Sequence, residues 1–268
     1  MTTIVLKFGG ASVASVEQFK TLVEIIRQEK ERGQKIVVVI SAMGDTTDNL
    51  LALARRVNPH PPLREQDMLL SVGERISMAL LAMSLAAEGL EAISFTGSQS
   101  GIITTSGHAN ARIVNVKPFR LLKALEEGKI VIVAGFQGVS TQGEITTLGR
   151  GGSDTTAVVL AAALQAEMVK FYKDVPGIFS SDPKVDPNAS FLPTLSYEEA
   201  ITLTAKGAQV IHPRAVHLAC KYAITLYFTS FDPEQRMRYP GTWIKEEKTK
   251  ISPDPFLSIA EDSSLLAP

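Results

Sequence analysis

Apolar positions along the chain alternate between the spacing of buried strands and the spacing of helices. Residues 3–8 and 35–40 are continuous apolar runs, which are typical of strands covered on both faces of a sheet. Residues 15–32 place their apolar side chains at helical spacing. The same patterns predict strands near 91–95, 130–134, 167–171 and 224–229, and helices near 45–57, 65–88, 117–127, from 153 onward, and twice within 196–221. This order predicts an α/β protein, a three-layer αβα sandwich with a largely parallel open sheet.

The predicted helix near 65–88 has two apolar stripes, and one of them contains a carboxylate. The first stripe consists of Met68, Val72, Ile76, Leu80 and Met83, and the second of Leu70, Met78, Leu81 and Leu85 together with Glu74. An unpaired buried charge is costly, so Glu74 needs a cationic partner. Arg75 points about 100° away around the helix and is poorly placed for this. A substrate ammonium would satisfy Glu74, and so would a structural ion pair with a distant arginine.

Composition and charge exclude several classes of protein. The 268 residues carry a formal charge of −1, with 27 basic and 28 acidic side chains and no long run of either sign. Such a balance gives no electrostatic footprint for nucleic acid or for an anionic membrane surface. No stretch reaches the roughly 20 uncharged apolar residues of a membrane span, and the first residues predict a strand rather than a signal peptide. Cys220 is the single cysteine, which excludes disulfides within the chain and cysteine-based zinc sites. We expect a cytoplasmic protein.

The first candidate site lies where the predicted strand 3–8 ends. Lys7 is followed by Gly9 and Gly10 and then by a helix. Ligands of open α/β sheets bind beyond the carboxyl ends of the strands, and glycines let backbone N–H groups approach an oxyanion. The two common phosphate-binding fingerprints are absent. The segment therefore predicts either a phosphate site with a lysine point charge or an ordinary strand–turn–helix with a surface lysine.

A second candidate site precedes the helix that begins near residue 153. Arg150 can grip a carboxylate, Gly151 and Gly152 allow close backbone approach, and Ser153 or Asp154 can cap the helix. A carboxylate beside a phosphate is repulsive unless a lysine or a metal ion lies between them. Asp154 therefore fits a phosphate site if it orients Lys7 or holds Mg²⁺. A helix with an ordinary N-cap and no bound ligand would have the same sequence.

The remaining polar features are less specific. Residues 171–185 are a strand followed by two Asp/Pro/Gly turns, which fits a binding loop or a simple hairpin. His60, His108 and His212 are not paired with a nucleophile at a recognisable spacing, so we expect them to be structural. Cys220 has the sequence context of a small packed residue rather than a nucleophile.

Taken together, the motifs resemble a known family. In chain order they are Lys7-Phe-Gly-Gly, Ser41-Ala-Met-Gly, Gly73-Glu-Arg-Ile-Ser, His108 with Ala111-Arg-Ile, Gly149-Arg-Gly-Gly-Ser-Asp, Asp174-Val-Pro-Gly-Ile with Asp182-Pro, Gly207-Ala-Gln-Val-Ile-His-Pro and Pro240-Gly-Thr. They resemble the aspartate kinases of the amino acid kinase family over about 240 residues in the right order. The resemblance implies the carbamate kinase-like fold of that family. It also implies transfer of the ATP γ-phosphoryl group to the β-carboxylate of L-aspartate, on the route to lysine, threonine and methionine.

The resemblance also implies residue roles. Lys7, Asp154 and Ser41 would be catalytic, and the aspartate would be bound by Glu74, Arg150, Gly151, Gly152 and Ser153. The nucleotide would be bound by Lys7, Gly9, Gly10, Lys173, Asp174, Phe179, Asp182, Lys184 and Gln209. Gln209 stands where many relatives have a lysine, which puts the second phosphate-side lysine of the family in doubt. Mg²⁺ would be held mainly by the ATP phosphates, with Asp154 as a further ligand.

The chain differs from most aspartate kinases in its length. Only 26 residues follow Thr242, too few for the paired ACT domains of that family. We therefore expect a catalytic domain over 1–244, with an amino-acid-binding N-terminal part and a nucleotide-binding C-terminal part, and a tail over 245–268. We expect a homodimer, with a separate regulatory chain as an alternative. Another acyl-phosphate-forming amino acid kinase, such as acetylglutamate, glutamate 5- or carbamate kinase, and an inactive nucleotide-binding subunit are the other hypotheses.

Overall fold

The computed structural model describes residues 1–183, 185–205 and 211–246. The strands in these ranges are β1 (Thr3–Phe8), β2 (Lys35–Ile40), β3 (Ala92–Phe95), β4 (Ile102–Thr104), β5 (Ile113–Val116), β6 (Ile130–Ala134), β7 (Gln137–Ser140), β8 (Ile145–Thr147), β9 (Met168–Lys173), β10 (Ile178–Phe179), β11 (Phe191–Leu192), β12 (Thr194–Leu195), β13 (Thr225–Ser230) and β14 (Thr242–Ile244). Lys184, Gln209 and the predicted tail beyond residue 246 lie outside the described residues.

The helices follow the predicted pattern, with one helix divided in two. They are α1 (Gln18–Glu31), α2 (Thr46–Val57), α3 (Leu63–Leu70), α4 (Val72–Ala87), α5 (Phe119–Glu126), α6 (Gly152–Ala163), α7 (Tyr197–Ala205), α8 (Pro213–Lys221) and α9 (Pro233–Arg238). The predicted helix near 65–88 is interrupted at Ser71, which ends α3 and precedes α4.

The main sheet contains eight strands in the order β12-β14-β13-β9-β1-β2-β6-β3. From β13 to β3 all neighbours are parallel, whereas β14 is antiparallel to β13 and β12 is parallel to β14. The predicted largely parallel open sheet is thus confirmed. In a parallel arrangement the carboxyl ends of β1, β2 and β9 lie at the same edge, and this edge carries the candidate site.

Two apolar cores lie on opposite faces of this sheet. Because successive strand side chains alternate between faces, Val5 packs against one core and Leu6 against the other. The first core contains apolar residues of α5, α6, α7 and α8, and the second contains those of α1 and α4. This arrangement confirms the three-layer αβα sandwich.

One region differs from the sequence prediction. The residues between the predicted strand at 91–95 and the predicted helix at 117–127, for which the sequence analysis gave no element, contribute β4 and β5 to a separate sheet in the order β5-β4-β7-β8. These strands have only three or four residues, too few to show a hydrophobic period.

Segment 171–185 contributes β10, which pairs with β11 in a two-stranded antiparallel sheet and favours the hairpin interpretation.

The two apolar stripes of the α3–α4 segment differ in burial. Leu70, Met78, Leu81 and Leu85 are buried, whereas Met68, Val72, Ile76 and Met83 of the other stripe are exposed. By length and composition Leu63–Ala87 is apolar enough to cross a membrane, which is weak evidence because core helices pass the same test. Here α4 packs on α1, β3 and β6. The packing of α4 inside the protein therefore explains its apolar composition.

Candidate active site

A cavity of about 280 Å³ opens at the edge of the sheet where β1 and β2 end and α6 begins. Nine of the predicted site residues line it, namely Lys7, Gly10, Ser41, Glu74, Arg150, Gly151, Gly152, Ser153 and Asp154. Residues that sequence analysis did not single out also line it, namely Ala42, Gly44, Thr47, Phe136 and Gly149. The loops after β1 and β2 meet at this cavity, since Gly44 N–H donates to Gly10 O at 3.1 Å.

The most polar part of the cavity is an ionic group on Asp154. Lys7 Nζ lies 2.6 Å from Asp154 Oδ1, and Lys173 Nζ lies 3.4 Å from Asp154 Oδ2. Lys7 lies in this position because it is two residues after Val5 and therefore on the same face of β1, the face that packs against α6. Burial lowers the pKa of Lys7 to about 8, although the neighbouring Asp154 opposes the shift. Burial alone would raise the pKa of Asp154, but Lys173 and Lys7 outweigh it and lower that pKa.

Glu74 forms another wall of the cavity from the first turn of α4. Its side chain is buried, its Oε1 accepts a hydrogen bond of 3.3 Å from Ala42 N–H, and its Oε2 has no hydrogen-bond partner among the described residues. Burial raises the pKa of Glu74 to about 7. A Cβ on the preceding Gly73 would lie 2.7 Å from Ala42 Cβ, so a glycine is needed for α4 to approach this loop. An unsatisfied carboxylate oxygen in a cavity is suited to receive a cationic donor.

The Arg150 loop closes the opposite wall. Arg150 is exposed, and its side chain donates no hydrogen bond to any described residue. Gly151 has φ +74°, and a Cβ there would lie 2.2 Å from His212 Cγ. The loop thus requires a glycine at 151 both for its backbone conformation and for the space that the His212 ring occupies.

The prediction that Ser153 or Asp154 caps the following helix is wrong. α6 begins at Gly152 with Gly151 as its N-cap, and no side chain caps it. The Asp154 carboxylate instead pairs with Lys7 and Lys173. Gly152 N–H donates to Gly149 O at 3.0 Å, whereas the N–H groups of Ser153 and Asp154 have no acceptor among the described residues and are available to an anion in the cavity.

Five predicted nucleotide residues that the structure describes are not among those lining this cavity, namely Gly9, Lys173, Asp174, Phe179 and Asp182. Gly9 is next to Lys7, since a Cβ on Gly9 would lie 3.6 Å from Lys7 Nζ. Phe179 packs with Phe191 and Tyr239, with ring centroids 5.4 and 5.9 Å away. Asp174 and Asp182 are exposed and do not line the cavity. The structure therefore brings Lys173 into the ionic group but does not bring these two carboxylates to it.

The three histidines and the cysteine agree with structural roles. His108 Nδ1 lies 2.8 Å from Asp67, a buried carboxylate that sequence analysis did not identify. His212 caps α8, because its Nδ1 accepts from Arg214 N–H at 3.2 Å. His60 is exposed in the proline loop, and Cys220 is half-buried with its pKa raised by burial.

Comparison with known proteins places this geometry in a family. The family model described as the amino acid kinase family matches residues 2–230. An aspartokinase of Mycolicibacterium smegmatis is 52% identical over 246 residues, which cover 91% of this chain and 58% of that protein. The chain spans about 60% of the length of the curated relatives it matches.

Solved structures agree with the sequence matches. The aspartate kinase of Synechocystis superposes with a TM-score of 0.81 at 42% identity, covering 93% of this chain and 40% of the other. Aspartokinase III of E. coli, in complex with aspartate and ADP, superposes with a TM-score of 0.82 at 26% identity, covering 92% of this chain and 65% of the other.

Proposed function

The chain belongs to the amino acid kinase family, and from this premise we propose that it is an aspartate kinase. The reaction is transfer of the ATP γ-phosphoryl group to the β-carboxylate of L-aspartate, giving 4-phospho-L-aspartate and ADP. Relatives named aspartokinase at about 50% identity support the choice of substrate.

The observation that carries the proposal is a pair of opposite charges on two walls of one cavity. Glu74 offers a buried carboxylate oxygen and Arg150 an exposed guanidinium, and neither has a hydrogen-bond partner within the described part of the chain. A free α-amino acid is a zwitterion whose ammonium pairs with Glu74 and whose α-carboxylate pairs with Arg150. N-acetylglutamate and carbamate lack a free ammonium and would leave Glu74 buried and unsatisfied.

The ionic group supplies the chemistry at the other end of the cavity. The side-chain carboxylate of aspartate is already ionised at pH 7, so the reaction needs no general base. Catalysis then consists of positioning and charge stabilisation. Lys7 stabilises the charge on the transferring phosphoryl group, Asp154 orients Lys7 and Lys173, and Ser41 lies beside the reacting carboxylate. Ser153 presents its backbone N–H group to the anionic ligands, and the glycines at 151 and 152 let those ligands approach the backbone closely.

The nucleotide and its metal ion complete the proposed site. Gly9, Gly10 and Lys173 contact the phosphates, and Asp174, Phe179, Asp182, Lys184 and Gln209 form the remainder of the nucleotide pocket. No group of three metal-ligating side chains occurs among the described residues. Mg²⁺ would be held mainly by the ATP phosphates, with Asp154 as a further ligand, and would supply charge neutralisation.

The proposal includes the organisation of the chain. Residues 1–244 form the catalytic domain, in which the N-terminal part binds the amino acid and the C-terminal part binds the nucleotide. The protein works as a homodimer or together with a separate regulatory chain. Analytical ultracentrifugation of the purified chain, with and without lysine or threonine, tests the assembly.

A substrate panel tests the activity. ADP release is measured with aspartate, glutamate, N-acetylglutamate, carbamate and UMP under the same conditions. We expect kcat/KM for aspartate to exceed every other value by at least about 100-fold, since a site built for a given polar group rejects ligands that leave it unpaired. A preference for another acceptor identifies a sibling kinase, and no ADP release with any of them supports an inactive nucleotide-binding subunit.

A further inference from the structure

A buried carboxylate outside the cavity, that of Asp67 on α3, joins two walls of the candidate site. Its side chain is 0% exposed. Oδ1 accepts a 2.6 Å hydrogen bond from Thr147 Oγ1, Oδ2 lies 2.8 Å from His108 Nδ1, and the N–H of Ala109 lies 3.1 Å from both oxygens. A buried charge costs more than an apolar side chain of the same size. The contacts of Asp67 therefore call for an explanation other than stability.

One donor to Asp67, Thr147, belongs to the segment that leads into the Arg150 loop, and the other two, His108 and Ala109, lie in a neighbouring segment whose Ala111 N–H donates to Thr147 O at 2.9 Å. Thr147 is the last residue of β8 and lies three residues before Arg150. Ala109 has φ +66°, a left-handed conformation that is unfavourable for a residue with a Cβ, and its N–H is fixed by Asp67. The left-handed backbone at Ala109 and the side chain of Thr147 thus both depend on hydrogen bonds to the Asp67 carboxylate.

The same loop is held on its other side by Arg214. Its Nη1 donates to Leu148 O at 3.0 Å and its Nη2 to Asn110 Oδ1 at 3.1 Å. A Cβ on Gly149 would lie 2.8 Å from Asn110 Oδ1, so there is little space for the loop to shift. The backbone at 147–149 is therefore clamped between Asp67 and Arg214.

Asp67 lies on α3, which joins the Glu74-bearing helix α4 at Ser71. Ser71 N–H donates to Asp67 O at 3.0 Å, and Ser71 O accepts from Gln137 Nε2 at 2.9 Å, so the junction of α3 and α4 is fixed. Glu74 lies three residues beyond this junction, in the first turn of α4. Asp67 thus ties the helix that precedes α4 to the strand end that carries the Arg150 loop.

We propose that Asp67 is a positioning residue that sets the distance between Glu74 and Arg150. The Arg150 side chain has no hydrogen-bond partner in residues 1–183, 185–205 and 211–246, so its placement there follows its backbone, and that backbone is tied to α3 through Thr147. The spacing decides which amino acid can pair its ammonium and its α-carboxylate at the same time. The inference rests on the proposed function, in which Glu74 and Arg150 bind the two ends of the zwitterion.

The test compares Asp67→Asn with Glu29→Gln in the purified chain. Asparagine keeps the volume of Asp67 but turns an N–H₂ group toward the donors. Glu29 is a matched control, because it is also buried and accepts from Lys170 at 2.9 Å, away from the cavity. We expect Asp67→Asn to raise KM for aspartate at least about tenfold, with KM for ATP within about twofold, and Glu29→Gln to change neither. We expect Thr147→Val to raise KM for aspartate as Asp67→Asn does. Thr147→Ser keeps the hydroxyl donor and should leave this KM at the wild-type value.

Hydrogen exchange separates this inference from the proposed function. Asp67→Asn should increase amide exchange over residues 147–152, whereas Glu29→Gln should not. If the wild-type chain transfers no phosphoryl group to aspartate, the proposed function fails, and the exchange measurement still decides whether Asp67 holds the loop. Unchanged exchange over 147–152, or equal increases in KM for aspartate and for ATP, overturns the inference.

Discussion

Lys7 Nζ lies 2.6 Å from Asp154 Oδ1, and both side chains are nearly inaccessible to solvent. Lys173 approaches the other oxygen of the same carboxylate. Two ammonium groups therefore face one carboxylate, which leaves a surplus of positive charge beside the glycine turn of β1. In a kinase, this surplus is where the negative charge of the transferring phosphoryl group is stabilised.

Lys7→Met should lower kcat by roughly 10²–10³ while KM for aspartate stays nearly unchanged, because the lost charge acts mainly on the transition state. The measurement is steady-state ADP release. Lys170→Met is the control, since Lys170 is also paired with a buried carboxylate but lies away from the cavity. A kcat for Lys7→Met within a factor of three of wild type would remove Lys7 from the phosphate site.

Asp154→Asn should destabilise the fold by about 3–5 kcal/mol at pH 7, since it leaves two lysines without their counter-charge. The folded-state pKa of Asp154 is lowered, so its stabilisation is present above the unfolded pKa of about 4 and is lost as the pH falls below that value. Urea unfolding at pH 7 and at pH 3 checks this. A difference between wild type and variant that is as large at pH 3 as at pH 7 would contradict the ionic role.

Glu74→Gln should weaken aspartate binding yet stabilise the free protein at pH 8. The folded pKa of Glu74 is raised to about 7, so the folded state holds a proton that the unfolded state has released. Wild-type stability therefore falls as the pH rises from about 4.5 to about 7, and glutamine avoids this loss. We expect the melting temperature of the variant to exceed that of wild type by a few degrees at pH 8 and to match it near pH 4.5.

The matched control for this comparison is Glu65→Gln, an exposed glutamate on α3. It should change neither the melting temperature nor KM for aspartate. A Glu74→Gln variant with unchanged KM for aspartate would show that the ammonium binds elsewhere.

Gly151→Ala should cost at least about 2 kcal/mol of stability, because it adds a left-handed alanine and a collision with His212. Gly33→Ala separates the cost of the left-handed backbone from the cost of the collision, since Gly33 also has positive φ but has nothing within 4 Å of its Cβ position. We expect that variant to lose only about 1 kcal/mol in chemical denaturation. Equal losses at the two positions would show that the His212 contact is relieved by a small shift.

The sequence predicts the parts of the fold whose environment is uniform. β1, β2 and β6 are buried on both faces, so their continuous apolar runs are unambiguous. The break at Ser71 carries no proline, and the nearby Gly73 lies inside α4 rather than at the break. The adjoining stripe from Met68 to Met83 is apolar although most of it is exposed. Hydrophobic period alone cannot distinguish an exposed apolar face from a buried one.

The candidate site also contains residues that the sequence predicts and residues that only the structure reveals. Lys7 and Glu74 were found because each is a charge in an apolar stretch, and the Asp154 segment because glycines precede its helix. Asp67 gave no local signal, because its partners His108, Ala109 and Thr147 are 41, 42 and 80 residues away. Lys173 was assigned to the nucleotide pocket by resemblance, and its contact with Asp154 follows only from the pairing of β9 with β1.

The buried carboxylate of Glu74 makes substrate binding a proton-release reaction. In the free protein its pKa of about 7 means that near neutral pH about half of the molecules carry the proton. An incoming ammonium group favours the ionised form, so the bound complex expels that proton into the buffer. Titration calorimetry near pH 7 should therefore give a binding enthalpy that varies linearly with the ionisation enthalpy of the buffer, with a slope of about half a proton. The contribution of Glu74 to the slope should fall as the pH rises above 7, and uptake of aspartate at neutral pH should acidify an unbuffered solution.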